Sequence, residues 1–195
     1  MPVSCRDHLN GIFSARAEAA FLIRAEDGLT LTYGQTLAKA AGLAAFLRAE
    51  GLTGASPLAF SVDNCLELAY WYLGAMLLGV PVLPVNPALA AGDALKILTA
   101  LEVRHLVTTP SVLAGRQEAW GGLKQLKIYC FQPEARKTRE AFKGLVNLDI
   151  GALPAEAPPF EENFTASDDA TLLFVPTSGT GCRMWSNSPV PLASS

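Results

Sequence analysis

Between residues 57 and 131 the chain alternates short apolar runs with segments of helical length, and few architectures accept that pattern. The runs cover residues 57–62, 80–85, 104–109 and 126–131. A run that is apolar at successive positions presents apolar side chains to both of its faces, so both faces must be covered. Between the runs, Asp63 or Asn64 offers a cap for a helix reaching Leu78, which Gly79 ends. Residues 91–102 place Leu95, Leu98 and Leu101 on one side of a second helix, and residues 110–120 read as a third. Repeated strand–helix–strand units predict an α/β fold, with a parallel-rich sheet flanked by helices. Such sheets place ligands at the carboxyl ends of their strands.

The N-terminal part reads as a helix, a hairpin and a long helix. Leu9, Ile12 and Phe13 have helical spacing, and residues 21–24 and 29–32 form two strands around a turn closed by Gly28. Thr32 stands three residues before Gln35, the spacing of a capping box. The helix it opens carries Leu37, Ala41, Ala44, Ala45 and Leu47, and Gly51 suits its left-handed end.

Residues 68–85 hold no charge, close to the length of a spanning helix. Gly74, Gly79, Pro81 and Pro84 interrupt the stretch, which therefore reads as a buried helix running into a buried strand. No membrane span is expected. Hydrophobic residues make up 50% of the chain and charged residues 17%, a balance that fits a large core and not disorder. With a net charge of -3 and its cations scattered, the chain lacks the basic field a nucleic-acid partner requires. Cys5, Cys65, Cys130 and Cys182 are too far apart for a C-x-x-C site, and His8 and His105 add no zinc-ligand spacing. Reduced thiols in a cytoplasmic protein are the expectation.

Residues 151–167, rich in Pro and Glu, read as a surface connection. An apolar strand over 168–175 follows and runs straight into Thr177, Ser178, Gly179, Thr180 and Gly181. Glycines let backbone N–H groups approach an anion closely, and the hydroxyls of Thr177, Ser178 and Thr180 add donors for phosphate oxygens. The spacing is neither that of a Walker loop nor that of a dinucleotide fingerprint, and a strand end with Ser, Thr and Gly is often an ordinary turn.

Its surroundings point further. Thr177-Ser178-Gly179-Thr180-Gly181 resembles the phosphate loop of the adenylate-forming superfamily, [ST]-S-G-[ST]-T-G-x-P-K, with one threonine missing. Leu31-Thr32-Tyr33-Gly34-Gln35 is similar to the opening of that family's first long helix. Ser61-Val62-Asp63-Asn64 with Glu67 is similar to its x-x-N-x-x-E segment, and Gly79 to Pro87 resembles its G-x-x-x-x-P-x-N-P strand and turn. The resemblance runs in order from about residue 5 to Gly181 and is to acyl-CoA synthetases in particular. It implies the N-terminal subdomain of a synthetase-like fold, incomplete here, with Thr177, Ser178, Gly179, Thr180 and Gly181 holding the phosphates of ATP. Asn64, the Asn86-Pro87 turn, Tyr70, Trp71 and Tyr72 are expected to serve capping, turning and packing, and no catalytic residue or metal ligand is assigned.

The resemblance places a boundary at Gly181, with a partial AMP-binding domain over residues 1–181 and a tail over 182–195 that lacks the family's Pro-Lys. The single codons of Met184 and Trp185, read in a neighbouring frame, force a valine, and synonymous codons around them restore Leu-Pro-His-Val-Val after Gly181; a lost base near that codon is the expected origin. The family joins a carboxylic acid to ATP and passes the acyl group to CoA, with Mg2+ assisting. Its adenine, metal and acyl contacts and its closing domain follow the phosphate loop, so the chain is expected to be inactive alone and to bind none of ATP, Mg2+ or CoA tightly. The last strand is expected inside the parallel sheet, where its missing partners would leave an open edge. Two other readings remain open at this point: a non-catalytic module or decayed gene product, and an unrelated phosphate-binding α/β domain.

Overall fold

A computed structural model describes residues 5–53, 56–116, 120–123, 125–131, 145–153, 172–177 and 181–186. Helix α1 (Cys5–Ala15) leads into an antiparallel hairpin of β1 (Ala20–Ile23) and β2 (Thr30–Thr32). Gly28 makes the turn possible at φ 71°, where a Cβ would be strained. The next helix, α2 (Tyr33–Ala49), begins with the expected capping box: Thr32 Oγ1 accepts from the Gln35 N–H at 3.2 Å and Gln35 Oε1 from the Thr32 N–H at 3.0 Å. Beyond its end, Gly51 has φ 86°.

Alternation then proceeds through β3 (Leu58–Ser61), α3 (Leu66–Leu78), β4 (Val82–Pro84), α4 (Ala91–Ala100), β5 (His105–Thr108), α5 (Pro110–Ala114), β6 (Lys127–Phe131) and β7 (Leu145–Leu148). The five strands β4-β3-β5-β6-β7 form one sheet, parallel throughout. Period-two alternation divides each strand between two cores. Leu58, Phe60, Val107, Tyr129 and Phe131 pack with α2 and α3, whereas Ala59, Leu106, Ile128 and Cys130 pack with Ala94 and Leu98 of α4, Leu113 of α5 and Trp120. The predicted two-sided parallel sheet is thus present.

Helices α2 and α3 are the most closely packed pair, and Gly74 is what permits it. A Cβ at Gly74 would stand 3.0 Å from the Ala40 carbonyl oxygen and 3.2 Å from Leu43 Cβ. Trp71, Phe60 and Tyr72 fill the space towards the sheet, with Phe60 and Tyr72 stacked at 4.8 Å. Gly79 stops α3 at φ 73°.

Four expectations change. Helix α3 takes Cys65 as its N-cap, without a side-chain hydrogen bond, in place of Asp63 or Asn64. Helix α5 ends at Ala114 with Gly115 as its cap, well short of residue 120. Strand β7 pairs with β6 although no strand was read at residues 145–148. The strand expected inside the parallel sheet, β8 (Leu172–Thr177), instead pairs antiparallel with β9 (Gly181–Ser186). Thr177 lies opposite Gly181, leaving three residues to connect the strands, and so short a connection permits a hairpin but no parallel crossover. The pair lies beside the sheet, β8 alongside β4.

Candidate functional site

The carboxyl ends of β3, β4 and β5 carry one cluster of polar groups. Ser61 closes β3 and Thr108 closes β5; both are fully buried, and Thr108 Oγ1 donates to the Ser61 carbonyl at 2.8 Å. That bond locks the two strand ends together where the ladder runs out. Past Ser61, Asp63 and Asn64 face solvent ahead of α3. Past β4, Asn86 Oδ1 accepts from the Ala88 N–H at 2.8 Å and turns the chain towards α4, the turning role expected of it. Beyond β5, Thr109 Oγ1 and Ser111 Oγ lie 3.0 Å apart at the start of α5.

Arg116 gathers these pieces. Its Nη1 donates to Ser61 Oγ at 3.2 Å and its Nη2 to the carbonyls of Leu89, at 2.6 Å, and of Pro87. The guanidinium lies over the Trp120 ring at 5.4 Å. Only 7% of the residue is exposed, and burial pushes its pKa down from the ordinary arginine value, with the Asp63 charge opposing. Sequence reasoning missed this residue because its acceptors stand 27, 29 and 55 positions away and no local spacing marks it.

Of the residues assigned to phosphate, Thr177 ends β8 and Gly181 begins β9, directly opposite in the ladder; Ser178, Gly179 and Thr180 lie outside the described residues. The described part of the loop therefore stands at the end of an antiparallel pair, not at the tip of a central parallel strand. Among the described residues no three His, Cys, Asp or Glu side chains gather to hold a metal ion. No helix among them is long and apolar enough to cross a membrane.

A second polar cluster occupies the opposite end of the sheet. His105 Nδ1 lies 2.8 Å from the Tyr129 hydroxyl with the rings stacked, and Lys127 Nζ donates to Glu50. Burial holds His105 at about 4, helped by Lys127 and Arg104 and opposed by Glu50, and burial also raises the Tyr129 hydroxyl pKa. The imidazole and the phenol are thus neutral at neutral pH, and the charges of this cluster are those of Lys127 and Glu50, which pair with each other at 3.3 Å.

Comparison with protein families matches residues 13–182 to the AMP-binding enzyme family. Comparison with curated proteins gives no match. Among solved structures, the chain is similar to the anthranilate CoA ligase AuaEII in complex with anthranoyl-AMP: TM-score 0.79, 18% identity, covering 96% of this chain and 35% of that one. It is similar to a Mycobacterium tuberculosis fatty acyl CoA synthetase, with TM-score 0.73, 18% identity and coverage of 95% and 34%. A benzoate CoA ligase from Burkholderia xenovorans LB400 follows at TM-score 0.69, 20% identity and coverage of 88% and 32%. The chain spans about a third of the length of each of these three structures.

Proposed function

The chain belongs to the AMP-binding enzyme family, and from that we propose that it is the N-terminal, phosphate-holding part of an ATP-dependent acid–CoA ligase, inactive by itself. The match to the family across residues 13–182 carries this reading, because it takes in the Thr177–Gly181 segment as well as the sheet. It also removes the reading of an unrelated phosphate-binding domain.

In the proposed reaction a carboxylate oxygen attacks the α-phosphorus of ATP and pyrophosphate leaves. A thiol, that of CoA, then attacks the acyl carbon and AMP leaves. The part assigned to this chain is electrostatic: hydroxyls and N–H groups of Thr177, Ser178, Gly179, Thr180 and Gly181 donate to phosphate oxygens and hold the leaving pyrophosphate in line. Mg2+ would screen the phosphate charge in the complete enzyme. A few neutral donors hold ATP only weakly, since each hydrogen bond to a phosphate oxygen replaces one that water already makes.

Two measurements test the proposal. ATP–pyrophosphate exchange with a panel of fatty, aromatic and amino acids is expected to be absent for the chain alone; exchange at an enzyme-like rate would refute the claim of inactivity. Ligand-observed phosphorus NMR is expected to show ATP phosphates broadened at millimolar concentration, an effect lost in Gly179→Val. Broadening that Gly179→Val leaves intact would remove the loop from the account.

One observation favours a non-catalytic module as a second reading. Residues 172–177 and 181–186 pair with each other, so the strand leaving the loop is folded back on the strand that enters it. On this reading no added downstream polypeptide restores exchange, whereas on the first one does.

A further inference from the structure

We propose that His105, Tyr129, Lys127 and Glu50 form an acid-sensitive latch, which holds the last turn of α2 against the amino ends of β5 and β6 at neutral pH and releases it on acidification before the sheet itself opens. The inference is independent of the phosphate-loop reading.

The latch joins one helix end to two strand ends. Helix α2 stops at Ala49, Glu50 caps it, and the Leu52 N–H donates back to the Leu47 carbonyl at 3.0 Å. Two contacts fasten this end to β6: Lys127 Nζ donates to the Glu50 carbonyl at 3.0 Å and to Glu50 Oε2 at 3.3 Å, and Phe46 stands edge-on to the Tyr129 ring at 5.5 Å. Behind Tyr129 lies His105, stacked on it with Nδ1 2.8 Å from the hydroxyl; Tyr129 is fully buried and His105 nearly so. An imidazolium here would lack water and would stand near two cations, Lys127 on β6 and Arg104 ahead of β5, against the Glu50 carboxylate that Lys127 already engages. Hydrating it requires the Tyr129 ring to give way, and that ring is the seat of Phe46. Opening at this end therefore bares His105, and the open form binds a proton that the closed form resists. The middle of α2 is held separately, by Ala40, Leu43 and Ala44 against Gly74 of α3, a contact without a titrating group. Acid thus acts on the end of the helix and not on its centre.

The test is amide hydrogen exchange of the full 195-residue chain, followed by mass spectrometry as the pH is lowered and corrected for intrinsic rates. Peptides covering residues 46–52 are expected to open about a hundredfold more at pH 4 than at pH 7, the ratio for an imidazole at its ordinary 6.5 when open and about 4 when closed. At pH 4 they are expected to exchange faster than peptides covering residues 105–108 of β5, and in His105→Gln most of the rise is expected to vanish. Exchange of 46–52 and 105–108 as one unit at every pH would overturn the latch, and so would a rise of unchanged size in His105→Gln. The wild type carries the comparison should that variant fail to fold: a rise of about twentyfold is expected already at pH 5. A rise that begins only below pH 5 belongs to carboxylates and would overturn the inference.

Discussion

Replacing Gly74 by alanine sets two known effects against each other, and the structure decides the sign. Alanine is favoured over glycine inside a helix by about 1 kcal/mol, and a buried methyl adds about 0.8 kcal/mol. Against this, the new Cβ would sit 3.0 Å from the Ala40 oxygen, 3.2 Å from Leu43 Cβ and 3.4 Å from the Ala44 nitrogen. Two of these are backbone atoms of α2, so no rotamer change clears them, and Ala40, Leu43 and Ala44 are wholly buried. The helices must separate by a few tenths of an ångström, opening the contact along its length; overpacking of this kind costs roughly 1–3 kcal/mol. Set against the gains, the net expectation runs from about neutral to a destabilisation of about 1 kcal/mol, a fall in melting midpoint of up to roughly 2–4 °C. Gly11 supplies the control. It lies within α1 with nothing within 4 Å of a built Cβ, so Gly11→Ala should raise stability by roughly 0.5–1 kcal/mol. Thermal melts followed by far-ultraviolet circular dichroism read both. A midpoint for Gly74→Ala at or above that of Gly11→Ala would refute the claim that the α2–α3 distance depends on that missing methyl.

The remaining expectations concern single groups. His105 stays neutral in the fold until about pH 4 but protonates near its ordinary 6.5 once unfolded, so the unfolded chain binds the extra proton between those values. Stability should therefore fall as pH drops from 6.5 towards 4, by roughly 3 kcal/mol in all, and then level off for this group; melts across that range should lose much of their slope in His105→Gln, and an unchanged slope would count against the assignment. Thr32→Ala removes half of the capping box on α2 and should cost about 1 kcal/mol in urea unfolding, with Thr32→Ser close to wild type. Gly79→Ala must hold a side chain at φ 73°, for a loss of about 1–2 kcal/mol; a neutral result would mean the α3 terminus adjusts without strain.

Most of the sheet was legible because its strands are short, apolar and separated by helices that announce themselves. The capping box at Thr32 and Gln35, the stop at Gly79 and the turns at Gly28 and Asn86 are local signals, and local signals survive folding unchanged. What failed was decided at a distance or by competition. Asp63 and Asn64 are good caps, yet both stay exposed while Cys65 takes the cap position. The residues of β7 alternate unevenly, with Leu145, Val146 and Leu148 around Asn147, and only the neighbouring β6 makes them a strand. The strand before Thr177 was legible as a strand, but its partner was not, because apolar character does not say which edge a strand will find. Arg116 was invisible for the reason that makes it useful: it joins segments far apart in sequence.

The order β4-β3-β5-β6-β7 also bears on how the protein is made. Synthesis runs from the N-terminus at about 5–20 residues per second, so β3 emerges with neither neighbour yet translated. From the register of Leu58 with Val82 and with His105, β4 follows it after roughly 1–5 s and β5 after roughly 2–10 s. In that interval α2 is already available to shelter Leu58, but the face bearing Ala59 waits for α4. The nascent chain thus passes through a stage in which a strand destined for the interior of the layer has two bare borders and one uncovered side. It is there that a ribosome-associated chaperone has something to hold.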